Sequence, residues 1–169
     1  MELIRNGNFY NPTKGDLTLE ETIKEIIDYI KKRPEKFYDI IVGCDSSSER
    51  EPTFPAVVAV LREGEGGRFF IKKIHYQNRK FFNYHQRILE EVLLSIGLAQ
   101  LLRETLDKRL KEVKEPLDYR FKYIHADVGE RGATRDMVKE ITGLIKGNGF
   151  EPKIKPESCI ASVVADRYT

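Results

Sequence analysis

The stretch from Asp39 to Ser48, DIIVGCDSSS, constrains this chain more than any other. Ile40, Ile41 and Val42 are β-branched neighbours without polar alternation, the pattern of a strand buried on both faces. Such a strand belongs inside a sheet, and here it ends abruptly in Asp45 followed by three serines. A carboxylate set against that core costs several kcal/mol unless a cation or hydrogen bonds compensate. Three further acids stand where later elements can return to the same strand end: Glu91 in an apolar helical segment, Asp127 closing a second strand, and Asp166 near the C-terminus.

Upstream, Thr18 with Glu21 three residues on has the form of a capping box. Leu19, Ile23, Ile26, Ile27 and Ile30 then repeat at helical spacing until Pro34, which predicts a helix docked by one face. After the Asp45 strand, Pro52 and Pro55 mark a turn, and Ala56 to Leu61 reads as a second buried strand. Arg68 to Tyr76 reads as a third, with the mixed pattern of a sheet edge. Helical periodicity fills Asn83 to about Glu115, the part beyond Arg103 being either a solvated extension or a separate helix. Arg120 to Asp127 is a fourth strand, Thr134 a candidate N-cap for a helix ending at Gly147, Phe150 to Ile154 a fifth strand, and Cys159 to Tyr168 a last helix. The order predicts an α/β domain over residues 1–169, with residues 1–38 as an extension carrying a helix. Its core, 39–169, is a mixed five-stranded sheet, a meander followed by α-β-α-β-α with helices on both faces.

Size and charge narrow the functional classes. A chain of 169 residues builds a core without disulfides or structural metal, and Cys44 and Cys159 lack metal-ligand spacing. Reduced thiols and the absence of a leader or spanning pattern predict a soluble, cytoplasmic protein with no membrane partner. A net charge of +2 with 33% charged residues neither requires nor excludes nucleic acid.

The residues resemble the ribonuclease H-like superfamily, and more closely a family of poorly characterised bacterial ribonuclease H-like proteins. The resemblance runs from about Asp39 to Thr169 and rests on Cys44-Asp45-Ser46-Ser47, Glu91-Val92-Leu93-Leu94-Ser95-Ile96, His125-Ala126-Asp127 and Val164-Ala165-Asp166-Arg167. The C-terminal segments Glu151 to Pro156 and Arg167-Tyr168-Thr169 also look like the closer family. Ser46 departs from the superfamily, where glycine is common, and some members of the closer family carry Asn for the fourth acid. The resemblance implies a nuclease that holds Mg²⁺ or Mn²⁺ on Asp45, Glu91, Asp127 and Asp166, with Asp45 bridging two ions.

The chemistry of such a cluster agrees. Carboxylates packed together raise one another's pKa, and a hard divalent cation reverses that and keeps them ionised. Two ions about 4 Å apart suit in-line phosphodiester hydrolysis. Helical phase turns Glu91 inward and leaves Glu90 near the polar boundary, expected to be solvated. His125, two residues before Asp127, is a candidate for proton transfer or for a tucked-in hydrogen bond. Lys72, Lys73, Arg79 and Lys80, interleaved with Tyr76, Phe81 and Phe82, suit a nucleic-acid backbone and stacked bases, or a solvated edge strand over core aromatics. The loop Gly129 to Thr134 lacks Walker spacing and reads as a turn. Two rival classes stand beside the nuclease. One is a non-catalytic module that binds nucleic acid or protein; the other is a phosphotransferase, against which Ser47 stands where the haloacid pattern wants Asp and no Gly-rich phosphate turn appears.

Overall fold

The computed structural model describes residues 2–158. Helix α1 (Glu2–Arg5) and the short strands β1 (Phe9–Asn11) and β2 (Gly15–Leu17) precede α2 (Leu19–Lys32). The capping box at α2 is made in both directions: Glu21 N–H donates to Thr18 Oγ1 at 3.2 Å, and Thr18 N–H donates to Glu21 Oε2 at 2.8 Å. Then come β3 (Phe37–Cys44), β4 (Thr53–Arg62), β5 (Gly66–His75), α3 (Tyr84–Lys111), β6 (Asp118–His125), α4 (Val138–Gly147) and β7 (Glu151–Lys153).

The sheet has seven strands in the order β2-β1-β5-β4-β3-β6-β7. Strands β3, β4 and β5 form the antiparallel meander, while β6 runs parallel to β3 and β7 parallel to β6. The five strands anticipated from the sequence are all there, but the sheet is larger. The N-terminal extension adds the β1–β2 hairpin against β5, with Tyr10 opposite Ile71, so β5 is not an edge. The hairpin is held by Asn11, whose amide donates to Phe69 O and whose carbonyl accepts from the N–H groups of Thr13 and Lys14, each at 2.9 Å. Three-residue strands carry too little alternation to be read locally, and this side-chain anchoring does the work of length.

One face of the sheet carries the main core. Ile40, Val42 and Cys44 of β3 meet Ile23, Ile26 and Ile30 of α2, Val92, Leu98 and Leu102 of α3, and Ile141 and Ile145 of α4. On the opposite face Val57 and Ile71 form a small cluster with Phe69. The described helices α2, α3 and α4 therefore share one core; the helix expected over Cys159 to Tyr168 lies outside the described residues. α3 is a single unbroken helix of 28 residues, capped by the Asn83 side chain, which accepts from Gln86 N–H at 2.9 Å. Thr134, in contrast, caps nothing. Its hydroxyl accepts from Gly129 N–H at 3.0 Å and closes the preceding loop, and a 3-10 turn at Arg135–Met137 leads into α4. Among the described residues no helix is long and apolar enough to cross a membrane.

Candidate functional site

Strands β3 and β6 bring two of the acids to one sheet end. Gly43 stands opposite His125 in the parallel register, so Asp45 and Asp127 each follow two residues beyond that pair. Both lie just past the last residue of their strands and both are half-buried. Asp45 is fixed by its own backbone: its N–H donates to Pro55 O at 3.3 Å, and its Oδ1 accepts from Ser46 N–H at 2.8 Å. Asp127 is fixed by the β7 side, where Ala126 N–H donates to Lys153 O at 2.9 Å and Lys155 N–H to Val128 O at 2.8 Å.

Glu91 joins them from α3. The residue is only 5% exposed, and its Oε1 accepts from the Ser46 hydroxyl at 2.5 Å. Burial pushes its pKa up to about 8; the Ser46 hydrogen bond opposes this, while the charges of Asp45 and Asp127 raise it further and Arg87 one turn back lowers it. Asp45 and Asp127 thus lie near enough for their charges to act on Glu91. The donors are hard carboxylate oxygens, the kind that suits Mg²⁺ or Mn²⁺. Among the described residues no three His, Cys, Asp or Glu side chains already close on one point. Instead Lys155 Nζ lies 2.8 Å from Asp127 Oδ1, and Ser46 stands against Glu91.

The remaining anticipated residues divide. Asp166 lies outside the described residues. His125 is buried and stays neutral at ordinary pH: burial drives its pKa down to about 4, with Asp39 opposing and Lys153 reinforcing the shift. Among the described residues its Nδ1 is buried without a hydrogen-bond partner. Cys44 beneath the site is buried, and its thiol pKa is pushed well up by burial and by Glu91, Asp45 and Glu90, so it is not a reactive thiolate.

Two readings of the sequence are corrected. Glu90 is not solvated but buried, accepting a hydrogen bond from the Tyr76 hydroxyl and one from Arg79 Nη2 at 2.9 Å. The segment between β5 and α3 folds over that side of the helix, which phase alone does not show. Lys72 is 2% exposed, its ammonium donating to Asn6 O beside the Phe9 ring; it is a core lysine and not a phosphate contact. Lys73, Arg79 and Lys80 are exposed. Lys73 lies on the Tyr10 and Ile71 side of β5, lining a cavity with Asn8 and Asp16.

Sequence reasoning missed Lys155, Ser46 as a partner of Glu91, and Arg87. Arg87 was within reach, since a position four residues before Glu91 shares its helical face. Lys155 carries no local signal, because its ion pair depends on β7 docking beside β6.

Comparison with known proteins agrees with this architecture. A model of the family "Ribonuclease H-like" matches residues 21–169. The chain is also similar to the "Uncharacterized protein YkuK" of Bacillus subtilis (strain 168), with 30% identity over 167 residues, covering 95% of this chain and 96% of that protein. No solved structure matches it. Because the family match spans the whole five-strand core and the three acids at its end, the chain belongs to the ribonuclease H-like family.

Proposed function

We propose that the protein is a divalent-metal-dependent nuclease that hydrolyses phosphodiester bonds, with Asp45, Glu91 and Asp127 as its metal-holding acids. Asp166 is the proposed fourth acid, and His125 supports the Asp127 strand. The observation that carries this reading is Glu91: a buried carboxylate, with two more acids near enough to raise its pKa, set at the mouth of two parallel strands. Structural carboxylates are not usually gathered in this way, whereas catalytic ones are. Bound Mg²⁺ or Mn²⁺ supplies Lewis-acid polarisation of the phosphate and an activated water.

The chain's own residues prepare that chemistry. Pro55 and the Ser46 N–H hold Asp45 at the strand end, and the Ser46 hydroxyl orients Glu91. Lys155 holds an ammonium against Asp127 at 2.8 Å. The test is a cleavage screen of labelled single strands, duplexes, RNA–DNA hybrids and branched junctions, with Mg²⁺ and with Mn²⁺. Metal-dependent cutting that is lost in Asp45→Asn supports the reading, and cutting that persists in that variant points to a contaminating nuclease.

A second reading, a non-catalytic binding module, draws on the same Lys155–Asp127 pair, which satisfies one acid without metal. It predicts no cleavage and no effect of divalent ions on stability.

A further inference from the structure

We propose that Phe82 and Tyr84 form a stacking platform for unpaired bases, feeding a single-stranded segment toward Asp45, Glu91 and Asp127. The proposal takes its location from the nuclease reading, but its test does not depend on metal or on cleavage.

Phe82 is 70% exposed and Tyr84 47% exposed, on either side of the Asn83 cap of α3. Their exposure is built in. Phe81 is buried against Phe54 and Tyr76, with ring centroids 5.0 and 5.9 Å away. Arg79 lies over the Tyr76 and Phe81 rings at 4.8 and 4.7 Å while pairing with Glu90. On the other side of Phe82 the chain is pinned by its own N–H to Gln86 Oε1 at 2.9 Å and by the Asn83 cap. A backbone fixed on both sides leaves Phe82 70% exposed among the described residues, which costs hydrophobic free energy unless something covers it.

Place and charge select the cover. Phe81 N–H donates to Arg50 O at 2.8 Å, so the loop bearing Phe82 is tied to the loop that follows Asp45. Tyr84 and Glu91 are seven positions apart along α3, about 10 Å at 1.5 Å per residue. Close by in the chain stand exposed Lys80, half-buried Arg87 and Arg79, which is paired with Glu90, while His85 pairs with Glu140 at 3.1 Å. Exposed flat rings with Lys80 and Arg87 near them in the chain match successive bases and their phosphates. A base-paired duplex shows its flat base faces only at its ends, so the platform selects unpaired strands.

The chain contains no tryptophan, so Phe82→Trp introduces a single reporter. In EDTA, titration with a single-stranded oligonucleotide is expected to quench its emission, while the matching blunt duplex leaves it nearly unchanged. By fluorescence anisotropy, Phe82→Ala and Tyr84→Ala should each weaken single-strand binding about tenfold and leave duplex binding within twofold. Both positions are exposed, so folding is not at stake. Equal losses for single strand and duplex, or no loss for either, overturn the proposal. So does a wild-type self-association, seen by light scattering, that Phe82→Ala abolishes while strand binding is untouched. Quenching without any metal-dependent cleavage would keep the platform and remove the nuclease.

Discussion

Lys155 Nζ stands 2.8 Å from Asp127 Oδ1, so a side-chain cation already sits on one of the three gathered acids. That ammonium must leave or share the carboxylate when a divalent ion binds. Lys155→Met should therefore raise Mn²⁺ affinity several-fold in a calorimetric titration. Because both side chains are substantially exposed, metal-free stability should change by less than about 1 kcal/mol. Unchanged or weaker metal affinity would show that Lys155 does not compete at the site.

Glu91 makes stability depend on pH in a defined window. Its folded pKa of about 8 lies above the ordinary carboxylate value of 4.5. Between those values the unfolded chain has lost the proton and the folded one keeps it, so stability present at low pH is lost as pH rises toward 8. Each pH unit in the window is worth up to about 1.4 kcal/mol. Metal-free melts from pH 5 to 8.5 should show wild type declining more steeply than Glu91→Gln. Parallel curves would mean that Glu91 is already ionised at pH 5.

Adjacent glutamates should separate by readout. Glu90→Gln breaks a buried network with Tyr76 and Arg79, and should cost about 1–3 kcal/mol in chemical denaturation while leaving Mn²⁺ affinity within twofold. Glu91→Gln should lower Mn²⁺ affinity tenfold or more. If both variants lost metal equally, the two side chains would belong to one site.

Asp45 distinguishes enzyme from scaffold. Above about pH 8, where Glu91 is ionised, removing the Asp45 charge relieves repulsion on it, so there Asp45→Asn without metal should match wild type or exceed it by about 1 kcal/mol. Millimolar Mg²⁺ or Mn²⁺ should raise the melting temperature of wild type only. A structural anion would behave oppositely, with a loss of about 3–5 kcal/mol and no metal effect.

The local pattern of residues determined the frame. The β-branched run Ile40 to Val42 marked the central strand, Thr18 and Glu21 marked the start of α2, and Asp45 and Asp127 were legible as strand-end acids because apolar runs stop there. These signals concern backbone period, capping and burial, which act over a few residues. Tertiary structure alone decided what met across the sheet and around α3. It placed Glu90 under the Tyr76–Arg79 segment, buried Lys72 against Asn6, added the hairpin of Tyr10 to the β5 edge, and set Lys155 on Asp127. Each of these joins residues distant in the chain or on separate elements, and their energies depend on which surfaces come together, a quantity that helical phase and strand alternation do not carry.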